Sequence, residues 1–150
     1  MAHEPVMSIE ELEAFIDREF PQVHHGGRSF AVESVRPMGA TVRLFYHERH
    51  LRPGGTVSGP AMMSIADYAM YIAILAQLGP VALAVTTNLS INFLRKPGQA
   101  DLIADCSLLK LGKRLAVAEV SLRSDGSEDV VAHVVGTYSI PSGNGGKIIP

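Results

Sequence analysis

One carboxylate stands alone in the most apolar stretch of this 150-residue chain. From Ala61 to Ala76, 14 of 16 side chains are apolar and Asp67 carries the only charge. A buried, unpaired charge is costly, so the fold must pair this group, protonate it or use it. A carboxylate so placed can serve as a general base on water or as a nucleophile. Upstream, Gly59 precedes Pro60, a residue suited to the first position of a helix because its missing N–H would be unpaired there. That reading makes Gly59 the N-cap. It leaves the Gly59 backbone N–H free at the positive end of a helix, where developing negative charge is stabilised. Eight helical residues separate the two groups, about 12 Å. They cannot touch the same atom of one small substrate from within one chain. Chemistry shared between them requires Asp67 to face the helix start of a second subunit, which puts the site at a boundary between chains.

The elements that would hold these groups follow from periodicity. In "SIEELEAFIDREF", Ser8 and Glu11 have the spacing of a capping box, and Ile9, Leu12, Phe15 and Ile16 recur at helical intervals. A short amphipathic helix is expected over about 8–20, ended by Pro21. "SFAVESVRP" and "ATVRLFYHE" read as strands joined by a turn at Pro37–Gly39, followed by a loop, "RHLRPGGTVSG". The helix carrying Asp67 is expected over about 60–77, stopped by Gly79–Pro80, and its near-absence of polar positions means burial on almost every side. In "ALAVTTNLSINFLRK", simple alternation puts Val85, Thr87, Leu89, Ile91 and Phe93 on one face and Thr86, Asn88, Ser90 and Asn92 on the other. A hairpin turning at Leu111–Lys113 and a last strand, "DVVAHVVGTYSIP", after a turn at Gly126 complete the chain, with a tail over about 142–150 expected to be mobile. Helix, two strands, long buried helix and about four more strands make an α+β domain. A curved antiparallel sheet wraps the long helix, and any remaining apolar surface meets another subunit.

Composition narrows the classes. Apolar residues at 47% and charged residues at 19% suit one folded, soluble domain, and a net charge of −2 offers no footprint for nucleic acid or an anionic membrane. The apolar run at 61–76 is short for a membrane span and is interrupted by Asp67. The single cysteine, Cys106, excludes an internal disulfide and reads as a packed core thiol. With no apparent signal peptide, a cytoplasmic location is expected. No His, Cys, Asp and Glu residues have metal-ligand spacing, and phosphate loops, nucleophile elbows and dinucleotide fingerprints are absent, so no metal or cofactor is expected. His24 and His25, in "HHGG", precede a strand rather than a helix and are expected to be surface loop residues.

Residues 50–140 resemble the hotdog-fold acyl-CoA thioesterases, above all the phenylacetate-pathway type. That family carries a loop of the form H-x-N-x-x-G-x-x-H-G-G followed by a helix with an acidic residue. In "HLRPGGTVSGPAMMSIAD", His50 matches the first His, Arg52 the Asn, Gly55 the lone Gly, Ser58–Gly59–Pro60 the H-G-G, and Asp67 the acidic position. Thr86, in "AVTTNLSINFLRKP", falls where such enzymes use a Ser or Thr to hold water, and "LLKLGKRLAVAEVSL" is similar to the hairpin that follows. The departures are Arg52 for the amide, and Ser58 and Pro60 for the second His and last Gly.

The resemblance implies a hotdog fold, oligomers such as a dimer or dimer of dimers, and hydrolysis of a small-molecule acyl-CoA to free acid and thiol. Asp67 would be general base or nucleophile, the Gly59 N–H the oxyanion donor, and Thr86 the water-orienting group. Arg52, Gly55 and Ser58 would line the thioester region, and Met62 and Met63 an acyl pocket with neighbouring chains. Arg95, Lys96, Lys113 and Arg114, at strand ends and a turn, would meet coenzyme A phosphates. A hotdog protein that binds acyl-CoA without turning it over, and a hydratase or dehydratase of enoyl thioesters, remain alternatives.

Overall fold

The local signals at the N-terminus act as their chemistry dictates. In this computed structural model, which describes residues 4–25 and 27–141, helix α1 spans Ile9–Glu19. The Glu11 N–H donates to Ser8 Oγ at 3.1 Å, and the Ser8 N–H donates to Glu11 Oε1 at 2.9 Å, closing the capping box. Leu12, Phe15 and Ile16 form its buried stripe. A 3-10 turn, Pro21–His24, follows. Here one expectation fails: His24 is only 6% exposed. Its Nδ1 accepts the Ser29 N–H at 3.2 Å, and its backbone oxygen accepts the Ser29 hydroxyl at 2.9 Å. His24 is a latch between the turn and the first strand. His25 is exposed and left-handed, with φ 52°.

Strands β1 (Phe30–Arg36) and β2 (Gly39–Leu44) form the expected hairpin. The loop that follows is more ordered than its glycines suggested. A 3-10 turn at Glu48–His50 leads into a small hairpin of β3 (Leu51–Arg52) and β4 (Thr56–Val57). Helix α2 then runs Gly59–Leu78, one residue longer at each end than expected. Its N-cap is Ser58, not Gly59: the Ser58 hydroxyl accepts the Ala61 N–H at 3.3 Å, and a hydroxyl acceptor caps better than a glycine. By length and composition α2 could cross a membrane, yet 78% of its most apolar 18-residue window is buried inside the fold.

Four strands complete the sheet: β5 (Val85–Phe93), β6 (Leu102–Leu111), β7 (Leu115–Ser124) and β8 (Val130–Ser139). The order β1-β2-β6-β7-β8-β5 is antiparallel throughout and leaves β5 at one edge. The inward face of the central strands is built largely from small residues, including Ala104, Ala116, Ala118 and Ala132, so α2 lies close against it. At Gly136 a Cβ would come within 2.7 Å of Met70 Sδ, so glycine there makes room for a core methionine. Met70, Ile72, Ile74 and Leu75 are sealed between helix and sheet, each burial contributing about 1.5–3 kcal/mol. Cys106 joins this core, and burial pushes its thiol up to about 12.

The two faces of β5 are not those of a uniform strand. The pairing steps from Thr86↔Tyr138 to Asn88↔Thr137, so Thr87 is an extra residue in a β-bulge. The bulge resets the alternation. Thr86 therefore shares the inward face with Leu89 and Ile91 instead of opposing them, and both of these pack against the core. The expected tail, 142–150, lies outside the described residues.

Candidate active site

Asp67 sits on α2 one turn after Ser64, at the wall of a cavity of about 530 Å³. Its charge is paired with hydroxyls rather than with a cation. The Thr86 hydroxyl donates to Asp67 Oδ1 at 2.5 Å, and the Tyr138 hydroxyl donates to the same oxygen at 2.8 Å. Tyr138 also lies 3.0 Å from the backbone oxygen of Asp67. Both donors fall on Oδ1, so among the described residues no protein donor reaches Oδ2. Burial, and then the Asp67 charge, push the Tyr138 phenol far above its ordinary value, which keeps it a proton-bearing donor. A carboxylate anchored through one oxygen, with the other free at a cavity wall, can accept a proton from a water or attack a carbonyl carbon.

Tyr138 is the partner that sequence reasoning did not single out. Period-two alternation through Ala132, Val134 and Gly136 carries it to the inward face. Only the pairing of β8 with β5 and the packing of α2 bring it to Asp67.

The remaining predicted residues fall into separate groups. Gly59 opens α2, and its N–H makes no hydrogen bond among the described residues. It borders a second cavity, of about 440 Å³, with Arg52, Met62, Phe93, Arg95 and Lys96. Gly55, with φ 77°, turns the β3–β4 hairpin, and its carbonyl accepts the Gln99 side-chain amide at 3.1 Å. The Ser58 hydroxyl is occupied in capping. Ser58, His50 and Ser64 border a third cavity, of about 330 Å³, and Ser64 borders the Asp67 cavity as well. His50 Nδ1 is buried there with no partner among the described residues, and burial, then Arg49, lowers the His50 pKa.

Within one chain the expected substrate contacts lie in separate places. Met62 lies beside Gly59 and Met63 is 41% exposed, so neither lines the Asp67 cavity. Phe20, Val23, Tyr68, Tyr71 and Leu83 supply its apolar walls instead. Lys113 and Arg114 occupy the β6–β7 turn, near the Leu115↔Ser139 and Val85↔Ser139 pairs, whereas Arg95 and Lys96 follow the far end of β5. Nine residues of strand, about 30 Å, part the two groups of cations.

The sequence profile described as "Thioesterase superfamily" matches residues 54–131, more than half of the chain and the segment from the glycine turn through β7 into β8. The chain belongs to the thioesterase superfamily. A solved structure from Silicibacter sp. TM1040, a candidate thioesterase, is 46% identical and superposes with a TM-score of 0.84 over 94% of this chain and 96% of that one. A mutant of the phenylacetic acid degradation protein PaaI from Thermus thermophilus is 25% identical, with a TM-score of 0.66 over 85% and 99% of the two chains. A candidate esterase of Halobacterium salinarum is 36% identical over 106 residues, 65% of this chain and 70% of that protein. In this thioesterase-superfamily chain the hotdog architecture is complete, with sheet, central helix and N-terminal helix all present. Membership and these relatives support thioester hydrolysis as the class of reaction.

Proposed function

We propose that this protein hydrolyses acyl-CoA thioesters in the cytoplasm, at sites shared between two subunits. The observation that carries the reading is the Asp67 carboxylate, tethered through Oδ1 by Thr86 and Tyr138 at a cavity with apolar walls. Oδ2 takes the proton of a water as its oxygen attacks the thioester carbonyl carbon. The carbonyl oxygen becomes an oxyanion, met by the Gly59 N–H of the facing subunit. Collapse of the tetrahedral intermediate breaks the C–S bond, and the proton held on Asp67 passes to the departing thiolate. Thr86 serves by holding the carboxylate; its oxygen can still accept from the same water.

Two features favour a shared site. Asp67 and Gly59 border different cavities of one chain. Strand β5 is a nine-residue edge with no neighbour on its outer side among the described residues and with Val85 and Phe93 half exposed, the kind of edge that a second copy covers. Arg52, Arg95 and Lys96 around the Gly59 cavity would receive coenzyme A phosphates.

The test is thiol release across a panel of acyl-CoA thioesters by wild type and Asp67→Asn. Wild type should turn over, and the variant should lose at least ~10²-fold in kcat with an unchanged oligomer. Acyl-CoA binding without thiol release by wild type would make the protein a binding module instead.

A further inference from the structure

The far wall of the Asp67 cavity comes from outside the segment that matches the superfamily profile. Glu19, Phe20 and Val23 line it, from the last residue of α1 through the 3-10 turn, whereas the matched segment begins at residue 54. This corner is firmly held. Leu12 and Ile16 anchor α1 in the core, the Phe20 N–H donates to the Ile16 carbonyl at 2.8 Å, and His24 ties the turn to Ser29.

Its chemistry is that of aromatic rings. Phe20, 40% exposed, stands edge-on to Tyr71, with ring centroids 6.1 Å apart at 86°. Tyr71 is fixed by donating its hydroxyl to the Ala82 carbonyl at 2.9 Å, and it stacks at 6.3 Å on Tyr138, which holds Asp67. Rings thus run from the reacting carboxylate to the corner. The Tyr71 hydroxyl is already committed, and the one charged group on this wall, Glu19, is an anion that accepts from Arg18 Nε at 3.1 Å. Among the described residues lining the cavity none is a cation, and the adjacent Arg18 is paired with Glu19, so a carboxylate at the end of an acyl chain meets an anion first.

We infer that the α1 corner selects the acyl group: Phe20 sets how far the tail extends beyond the carbonyl, and the ring-lined wall admits uncharged tails and refuses those ending in carboxylate. This deepens the proposed function and rests on it. Phe20 is a specificity residue, remote from the reacting atoms, so its substitution should reorder substrates without abolishing turnover. Changes of one methylene in an apolar pocket are worth roughly tenfold or more in discrimination.

The experiment measures kcat/KM for straight-chain acyl-CoAs of increasing length, an aryl-acetyl-CoA and a dicarboxylic mono-CoA thioester, with wild type, Phe20→Ala, Phe20→Leu and Val23→Phe. Phe20→Ala should raise activity on the longest tails about tenfold relative to the wild-type optimum, with Phe20→Leu between. Val23→Phe should shift the optimum to shorter tails, and every form should disfavour the dicarboxylic ester. Melting curves identify any variant that is not folded, and Phe20→Leu keeps the test open if Phe20→Ala is lost. Calorimetric titration with non-hydrolysable alkyl thioethers of coenzyme A reads the same ranking as affinity. Unchanged ranking in an active enzyme overturns the inference and leaves the proposed function standing. No thiol release, with thioether affinities reordered as above, overturns the function and retains the corner as a selector of bound tails. Absence of both turnover and binding overturns both.

Discussion

Thr86 and Asp67 lie 19 positions apart, on β5 and α2, and meet at 2.5 Å because one extra residue, Thr87, turns the strand by half a period. Without the bulge, Thr86 would sit on the outer face of the sheet and Asp67 would lose one of its two side-chain donors.

Removing either donor should therefore impair catalysis without unfolding the protein. Thr86→Val and Tyr138→Phe keep most of the side-chain volume and each delete one hydroxyl. We expect each to lower kcat by about tenfold or more with little change in KM, because the hydroxyls act on the carboxylate and not on the bound tail. A changed KM with unchanged kcat would place them in substrate binding instead.

A site shared between chains makes a sharper demand. Asp67→Asn and Gly59→Pro should each be inactive alone, the second because it removes the N–H proposed as oxyanion donor. Mixed after co-refolding, they form heterodimers in which one of the two sites has both intact groups, restoring about one quarter of wild-type turnover. A site built from one chain restores nothing. An added Cβ at Gly59 comes within 3.2 Å of Phe93 Cζ, so the melting temperature of Gly59→Pro is the necessary control.

His24 should write itself into the pH dependence of stability. Its pKa is lowered from 6.5, first by burial and then by Arg28, against the raising influence of Asp17 and Glu13. A histidine harder to protonate when folded takes up a proton on unfolding, so stability falls as pH drops below about 6.5 toward the depressed folded value. His50, lowered mainly by burial, acts in the same sense. Melting temperatures measured from pH 7.5 down to 5 should decline, and His24→Gln should flatten that decline. The variant should also be less stable at pH 7.5 by about 1–3 kcal/mol, since the Ser29 N–H loses its acceptor.

Tyr68 offers the opposite case. The residue is 4% exposed, its ring stacks on Phe30 at 4.4 Å, and its hydroxyl has no partner among the described residues. Tyr68→Phe keeps the stack and removes the orphan, so it should stabilise the protein by about 1 kcal/mol, read as a rise in melting temperature.

Much of this molecule is written in local chemistry. The Ser8–Glu11 capping box, the apolar run around Asp67 and the alternation of the later strands specify helices, strands and the burial of α2, because each depends only on residues within a turn or two of one another. Asp67 and the Gly59 amide were legible for the same reason: a lone charge and a helix start are visible in one dimension. The partners of Asp67 were not. Tyr138 reaches it from 71 positions away through the β8–β5 register, and Thr86 through a bulge that no alternation pattern announces. The burial of His24 and the ring-lined corner at Phe20 likewise depend on where α1 docks. Sequence determined which groups could do chemistry and which elements carry them. Tertiary structure alone decided which hydroxyls hold the carboxylate and which side chains wall its cavity, because contacts between distant segments are set by register and packing, and neither is a property of any short stretch of chain.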